Sequence, residues 1–118
     1  MEVKVQTHKI ELPGKSRTEL AERIRDSFSR LSSRVARLHV TLKDINGPRG
    51  GRDKVCVLRA ELRDGGEVMV VDRSSRLRSA LMRSMRRARG LIDREVQRRQ
   101  ALARKRLPKT RFAMADTA

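Results

Sequence analysis

The sequence has no tryptophan and no tyrosine, and in 118 residues it holds two phenylalanines, two histidines, three prolines and one cysteine. Each shortage closes a class of function. Without aromatic side chains, the stacking platforms that bind unpaired bases in many RNA- and single-strand-binding domains are almost excluded. The lone Cys56 can form neither an internal disulfide nor a multi-cysteine metal site, which accords with a reducing compartment. His8 and His39 have no carboxylate or cysteine at ligand-like spacing, so no metal is expected. No paired general acid and base stands out among the aspartates, so the chain does not read as an enzyme and needs no cofactor or small-molecule substrate. There is no run of ~18 apolar residues and no apolar stretch behind Met1-Glu2-Val3-Lys4, so neither a membrane span nor an export signal is expected, and the reading is cytoplasmic.

Negative charge is scarce too. Fourteen Asp and Glu face 30 Lys and Arg, for a formal net charge of +16. Such an excess calls for a polyanionic partner. The 37% hydrophobic content lies in regular patterns and suits one domain with an aliphatic core.

Val3-Lys4-Val5-Gln6-Thr7 alternates apolar and polar residues, the mark of a strand. After Pro13-Gly14, Ser16 and Glu19 have capping-box spacing, predicting a helix that starts there. Leu20, Ile24, Phe28 and Leu31 then recur at helical intervals, with Ser32-Ser33 expected to end the helix. Leu38, Val40 and Leu42 alternate with polar residues, as do Cys56, Leu58, Ala60 and Leu62, with Asn46 to Gly51 as a hairpin tip between them. Asp64-Gly65-Gly66 turns the chain into a fourth strand at Glu67 to Val71. From Ser74 or Ser75 the period becomes helical again, through Leu77, Leu81, Met85, Ala88, Ile92 and Val96.

The order is β-α-β-β-β-α: an α+β two-layer sandwich, with a four-stranded sheet and both helices on one face. From Ser16 onward it is also the order of a double-stranded-RNA-binding domain. Residues 1–97 are expected to form the domain, and 98–118 a basic, flexible tail that Pro108 keeps from continuing the helix.

The charge is concentrated. Residues 73 to 111 contain 15 bases and two acids, a net +13 of the +16. At 100° per residue, Arg76, Arg83, Arg87, Arg94, Arg98 and Lys105 fall within roughly 60° of one another, forming one stripe beside the apolar face of the second helix. Arg23, Arg30 and Arg34 flank the first helix at intervals of seven and four, and the two helices are expected to present one continuous basic surface. Arginine suits bidentate phosphate contacts, and an uncompensated stripe repels itself until phosphates neutralise it. The implied target is structured RNA or duplex, read by shape and backbone. Cys56 reads as a small buried thiol, and the Gly47-to-Gly51 loop as a hairpin tip lacking the P-loop pattern.

Leu38-His39-Val40-Thr41-Leu42-Lys43-Asp44-Ile45-Asn46-Gly47-Pro48-Arg49-Gly50-Gly51, followed by Asp53-Lys54-Val55-Cys56, resembles the D-x-N-G-P-x-G-G hairpin of the ribosome hibernation promoting factor and ribosome-associated inhibitor family. The likeness runs over about residues 2 to 100. In the second helix Ala80-Leu81 stands where that family has A-I, and Arg87 and Arg94 stand at its basic positions, while Met82, Ala88, Gly90 and Leu91 depart from it. The resemblance implies a short form that binds the small ribosomal subunit over its ribosomal RNA in the decoding region, and the chain is expected to be monomeric. Messenger and transfer RNAs are then blocked by occupancy alone, as part of a stress or stationary-phase response. The alternative is a general duplex RNA- or DNA-binding protein of nucleoid type, with no ribosomal site.

Overall fold

The computed structural model describes residues 1–45 and 53–106. Strand β1 (Glu2–His8) leads to helix α1 (Gly14–Ser27) and a 3-10 turn (Ser29–Leu31). Strands β2 (Val35–Asp44), β3 (Lys54–Leu62) and β4 (Glu67–Ser74) follow, then helix α2 (Leu77–Arg106). The sheet order is β1-β2-β3-β4, with β1 parallel to β2 and the later pairs antiparallel. The sheet is therefore mixed, and the α+β sandwich read from the sequence is the fold. The expected hairpin tip at Asn46 to Gly51 lies outside the described residues.

Side-chain parity explains the core. Val5, Val40, Leu58 and Val70 are register partners in turn, so one apolar row crosses all four strands, and Leu38, Ala60 and Val68 extend the next row. Ile24 of α1 and Phe28 just after its end, and Ala80, Leu81, Met85, Ala88 and Ile92 from α2, close over this face. The alanines Ala60, Ala80 and Ala88 are fully buried, and their small side chains let α2 lie close to the sheet.

Three local features differ from the sequence reading. Helix α1 begins at Gly14, with Pro13 as its cap residue (φ −55°, ψ 152°) and no side-chain cap. The proline ring already holds φ in place, and its carbonyl accepts the Arg17 N–H at 2.9 Å, so Ser16 falls inside the helix and no capping box forms. The α-helix then stops at Ser27, and the 3-10 turn carries Leu31 into the core. At the other end, α2 continues through Arg106, beyond the boundary read at 97. Arg99 pairs with Asp64 at 3.0 Å and donates to the Asp64 carbonyl at 3.0 Å, fixing this part of the helix to the β3–β4 turn. That turn needs its glycine, since Gly65 has φ +98°.

The row Leu42, Cys56, Asp72 ends in polar groups under α2. Ser84 donates to the Leu81 carbonyl at 2.8 Å, so the Cys56 thiol donates to Ser84 Oγ, 3.0 Å away. Burial pushes this thiol up to about 11. Native protein is therefore expected to resist iodoacetamide at pH 8 and to react once unfolded in urea; rapid labelling of the native state contradicts the placement.

Candidate nucleic-acid interface

Helix α2 is about 45 Å long at 1.5 Å per residue, and both of its flanks carry arginine. The outer flank lies along β4, an edge strand. Arg83 Nη1 donates to the Arg73 carbonyl at 3.4 Å and Arg87 Nη1 to the Val71 carbonyl at 3.2 Å. These two bonds occupy edge acceptors that otherwise invite another strand. Helical spacing puts Arg76, Arg94, Arg98 and Lys105 on the same flank, all exposed.

The inner flank faces the first helical segment. Arg89 donates to Ser27 Oγ and lies over the Phe28 ring at 5.8 Å. Arg30 pairs with Asp93 at 3.2 Å, and Arg34 faces the Gln100 side-chain amide at 2.9 Å, whose oxygen accepts once the amide is turned toward the guanidinium. Arg23 and Arg78 border a groove between α1 and the start of α2.

The nine arginine and lysine positions singled out from the sequence therefore form two groups. Arg76, Arg83, Arg87, Arg94, Arg98 and Lys105 lie on one side of α2, and Arg23, Arg30 and Arg34 on the other. The two groups lie on opposite flanks of α2, so a continuous basic surface has to pass over that helix. The link runs over the solvent side of α2, where Arg83, Arg86 and Arg89 line a shallow depression of about 380 Å³. Arg78, Arg86 and Arg89 were not singled out from the sequence. The helical wheel held the signal: these positions flank the apolar stripe on the side opposite to the one chosen.

The arginines differ in how free they are. Arg23, Arg76, Arg78, Arg86 and Arg94 are exposed and have no ion-pair partner among the described residues. Arg98 is engaged by Glu95 at 2.6 Å, and that hydrogen bond raises the guanidinium pKa further and lowers the carboxylate's. Arg87 is committed to the fold, its Nη1 lying 2.9 Å from Asp72 Oδ1. Asp72 is 8% exposed and its Oδ2 has no hydrogen-bond partner among the described residues, so Arg87 is its counter-ion. Asp72 shares the strand parity of Val68 and Val70, which turns it inward.

A stability difference should follow. Arg87→Ala strands a buried carboxylate and is expected to cost ~1–3 kcal/mol, whereas Arg94→Ala should change stability by less than ~0.5 kcal/mol. Urea midpoints measure both, and equal midpoints for the two variants contradict the assignment.

Among the described residues, no cluster of three or more His, Cys, Asp or Glu side chains could hold a metal ion, and no helix is long and apolar enough to cross a membrane. The surface over α2 is rich in exposed guanidinium groups, which equips it to bind anionic oxygens.

No protein-family model and no curated protein matches the chain. Solved structures do. The Thermus thermophilus Protein Y N-terminal domain superposes with a TM-score of 0.61 at 18% identity, over 80% of this chain and 98% of that one. A ribosomal subunit interface protein from Coxiella burnetii superposes with a TM-score of 0.63 at 12% identity, over 82% and 99%. Both match the hibernation-factor family that the sequence resembles, and at these identities the likeness establishes the shared fold.

Proposed function

We propose that this protein is a ribosome-binding translation inhibitor of the hibernation type. It uses the arginines around α2 to hold phosphates of small-subunit ribosomal RNA in the decoding region, so that messenger and transfer RNAs cannot bind. Occupancy suffices, and no bond is made or broken. The protein acts as a cytoplasmic monomer, within a stress or stationary-phase response. The observation that carries the reading is the set of exposed arginines without carboxylate partners among the described residues, Arg23, Arg76, Arg78, Arg86 and Arg94, on a fold shared with a structure named as a ribosomal subunit interface protein.

Competition at near-physiological salt tests it. Unlabelled ribosomes are expected to displace the protein from random duplex DNA, and the reverse should fail. Equal affinity for both would instead make the protein a general duplex binder. Five phosphate contacts predict a log–log salt slope of roughly −3.5 to −4.5. A slope shallower than about −1 contradicts phosphate binding by this face.

A further inference from the structure

The groove between α1 and the first turns of α2 is apolar inside and cationic at its rim. Leu12 and Leu20 form one wall and Leu77 and Met82 the other, over a floor of the buried side chains Ile24, Leu42, Leu81 and Met85, around a volume of about 290 Å³. Arg23 and Arg78 stand at the rim, both exposed and without an ion-pair partner among the described residues. Met82, 52% exposed, borders this groove and also the depression that Arg83, Arg86 and Arg89 line. A greasy cleft thus opens directly onto the arginine surface.

We propose that this groove takes one unpaired nucleotide of the bound RNA, its base between the aliphatic walls and its flanking phosphates on Arg23 and Arg78. The inference rests on the RNA-binding reading above and adds to it the kind of RNA preferred. The volume lies just below the ~300 Å³ at which drug-sized sites begin, which suits a single planar ring system. The exposed thioether of Met82 is polarisable and adapts to a flat ring, and a guanidinium can stack on a base as an aromatic side chain does. The side chains lining the groove are aliphatic apart from two thioethers and the rim arginines, so the site discriminates weakly among bases and favours the larger face of a purine. The groove supplies, without aromatic residues, the apolar surface that a duplex-only binder has no use for.

The test compares three short RNA hairpins by fluorescence anisotropy: fully paired, with a single bulged adenosine, and with an abasic bulge at the same place. The base-bearing bulge is expected to bind about fivefold more tightly than either of the others, the low end of the range for stacking on a side chain. Met82→Ala, at an exposed position, should erase that preference while circular dichroism stays unchanged. Arg23→Gln with Arg78→Gln should weaken the bulged hairpin more than the paired one. Equal binding of the abasic and base-bearing bulges, or a preference that survives Met82→Ala, overturns the inference and leaves the RNA-binding reading standing. Failure to bind any of the three hairpins overturns both.

Discussion

Arg76→Glu combined with Arg94→Glu is expected to release the protein from ribosomes at near-physiological salt while leaving it folded. Both side chains are exposed and have no ion-pair partner among the described residues, so their removal orphans nothing. Arg76 precedes the first residue of α2, and its carbonyl accepts the Ala80 N–H at 3.1 Å, so a glutamate there meets the favourable end of the helix dipole. A glutamate at 94 gains Arg98 one turn on. Two charge-assisted contacts worth ~1.5 kcal/mol each amount to roughly a hundredfold in affinity. The salt slope should also fall by about two units. Co-pelleting with purified ribosomes reads the outcome, and full retention in the pellet contradicts the role given to this flank. The pair is chosen in place of Arg87 because reversing Arg87 sets a glutamate against buried Asp72, and lost binding then cannot be told from lost folding.

Phe28→Ala should have the largest effect on stability. Phe28 is fully buried where α1 gives way to the 3-10 turn, and its backbone N–H is shared between the Ile24 and Arg25 carbonyls, each at 3.1 Å. Truncation leaves a cavity between the first helix and the sheet and removes the surface on which Arg89 rests. The expected cost is ~3–5 kcal/mol, a large part of the ~5–15 kcal/mol that holds a domain of this size together. For a domain of about 100 residues, each kcal/mol is worth roughly 4–8 °C, so melting should fall by at least about 12 °C. Met69→Ala, at a side chain 56% exposed on β4, is the control and should move the midpoint little. A Phe28→Ala protein that melts within a few degrees of wild type contradicts this packing.

The strands were legible because a one-sided sheet writes its parity into the sequence: Cys56, Leu58, Ala60 and Leu62 are all buried, and His39, with the opposite parity, lies outward beside Glu61 at 3.2 Å. Helix α2 was legible through the spacing of Leu81, Met85, Ala88 and Ile92. Its end was not, because Arg98 to Arg106 offers no apolar stripe to follow. What extends the ordered helix there is a tertiary contact, Arg99 on Asp64, between residues far apart in the chain. The start of α1 was misplaced because Ser16 and Glu19 match a capping box in spacing, while Pro13, immediately before the helix, does the capping with its backbone alone.

The interface was legible as a class and not as a shape. A helical wheel states which arginines share a flank of α2, and Arg76, Arg83, Arg87 and Arg94 do share one. It does not state which neighbour lies beside that flank. Only the packing of α2 against β4 on one side and against Ser27 and Phe28 on the other separates Arg87, which holds the fold, from Arg94, which is free for a ligand.

The central claim is that the arginines around α2 hold a ribosome. Sucrose-gradient sedimentation of a stationary-phase lysate at near-physiological salt, with every fraction probed for this protein, tests it most directly. The protein is expected to travel with small subunits or whole ribosomes, and the Arg76→Glu, Arg94→Glu variant to stay at the top of the gradient. Wild-type protein that remains at the top, or that sediments only with DNA, contradicts the account.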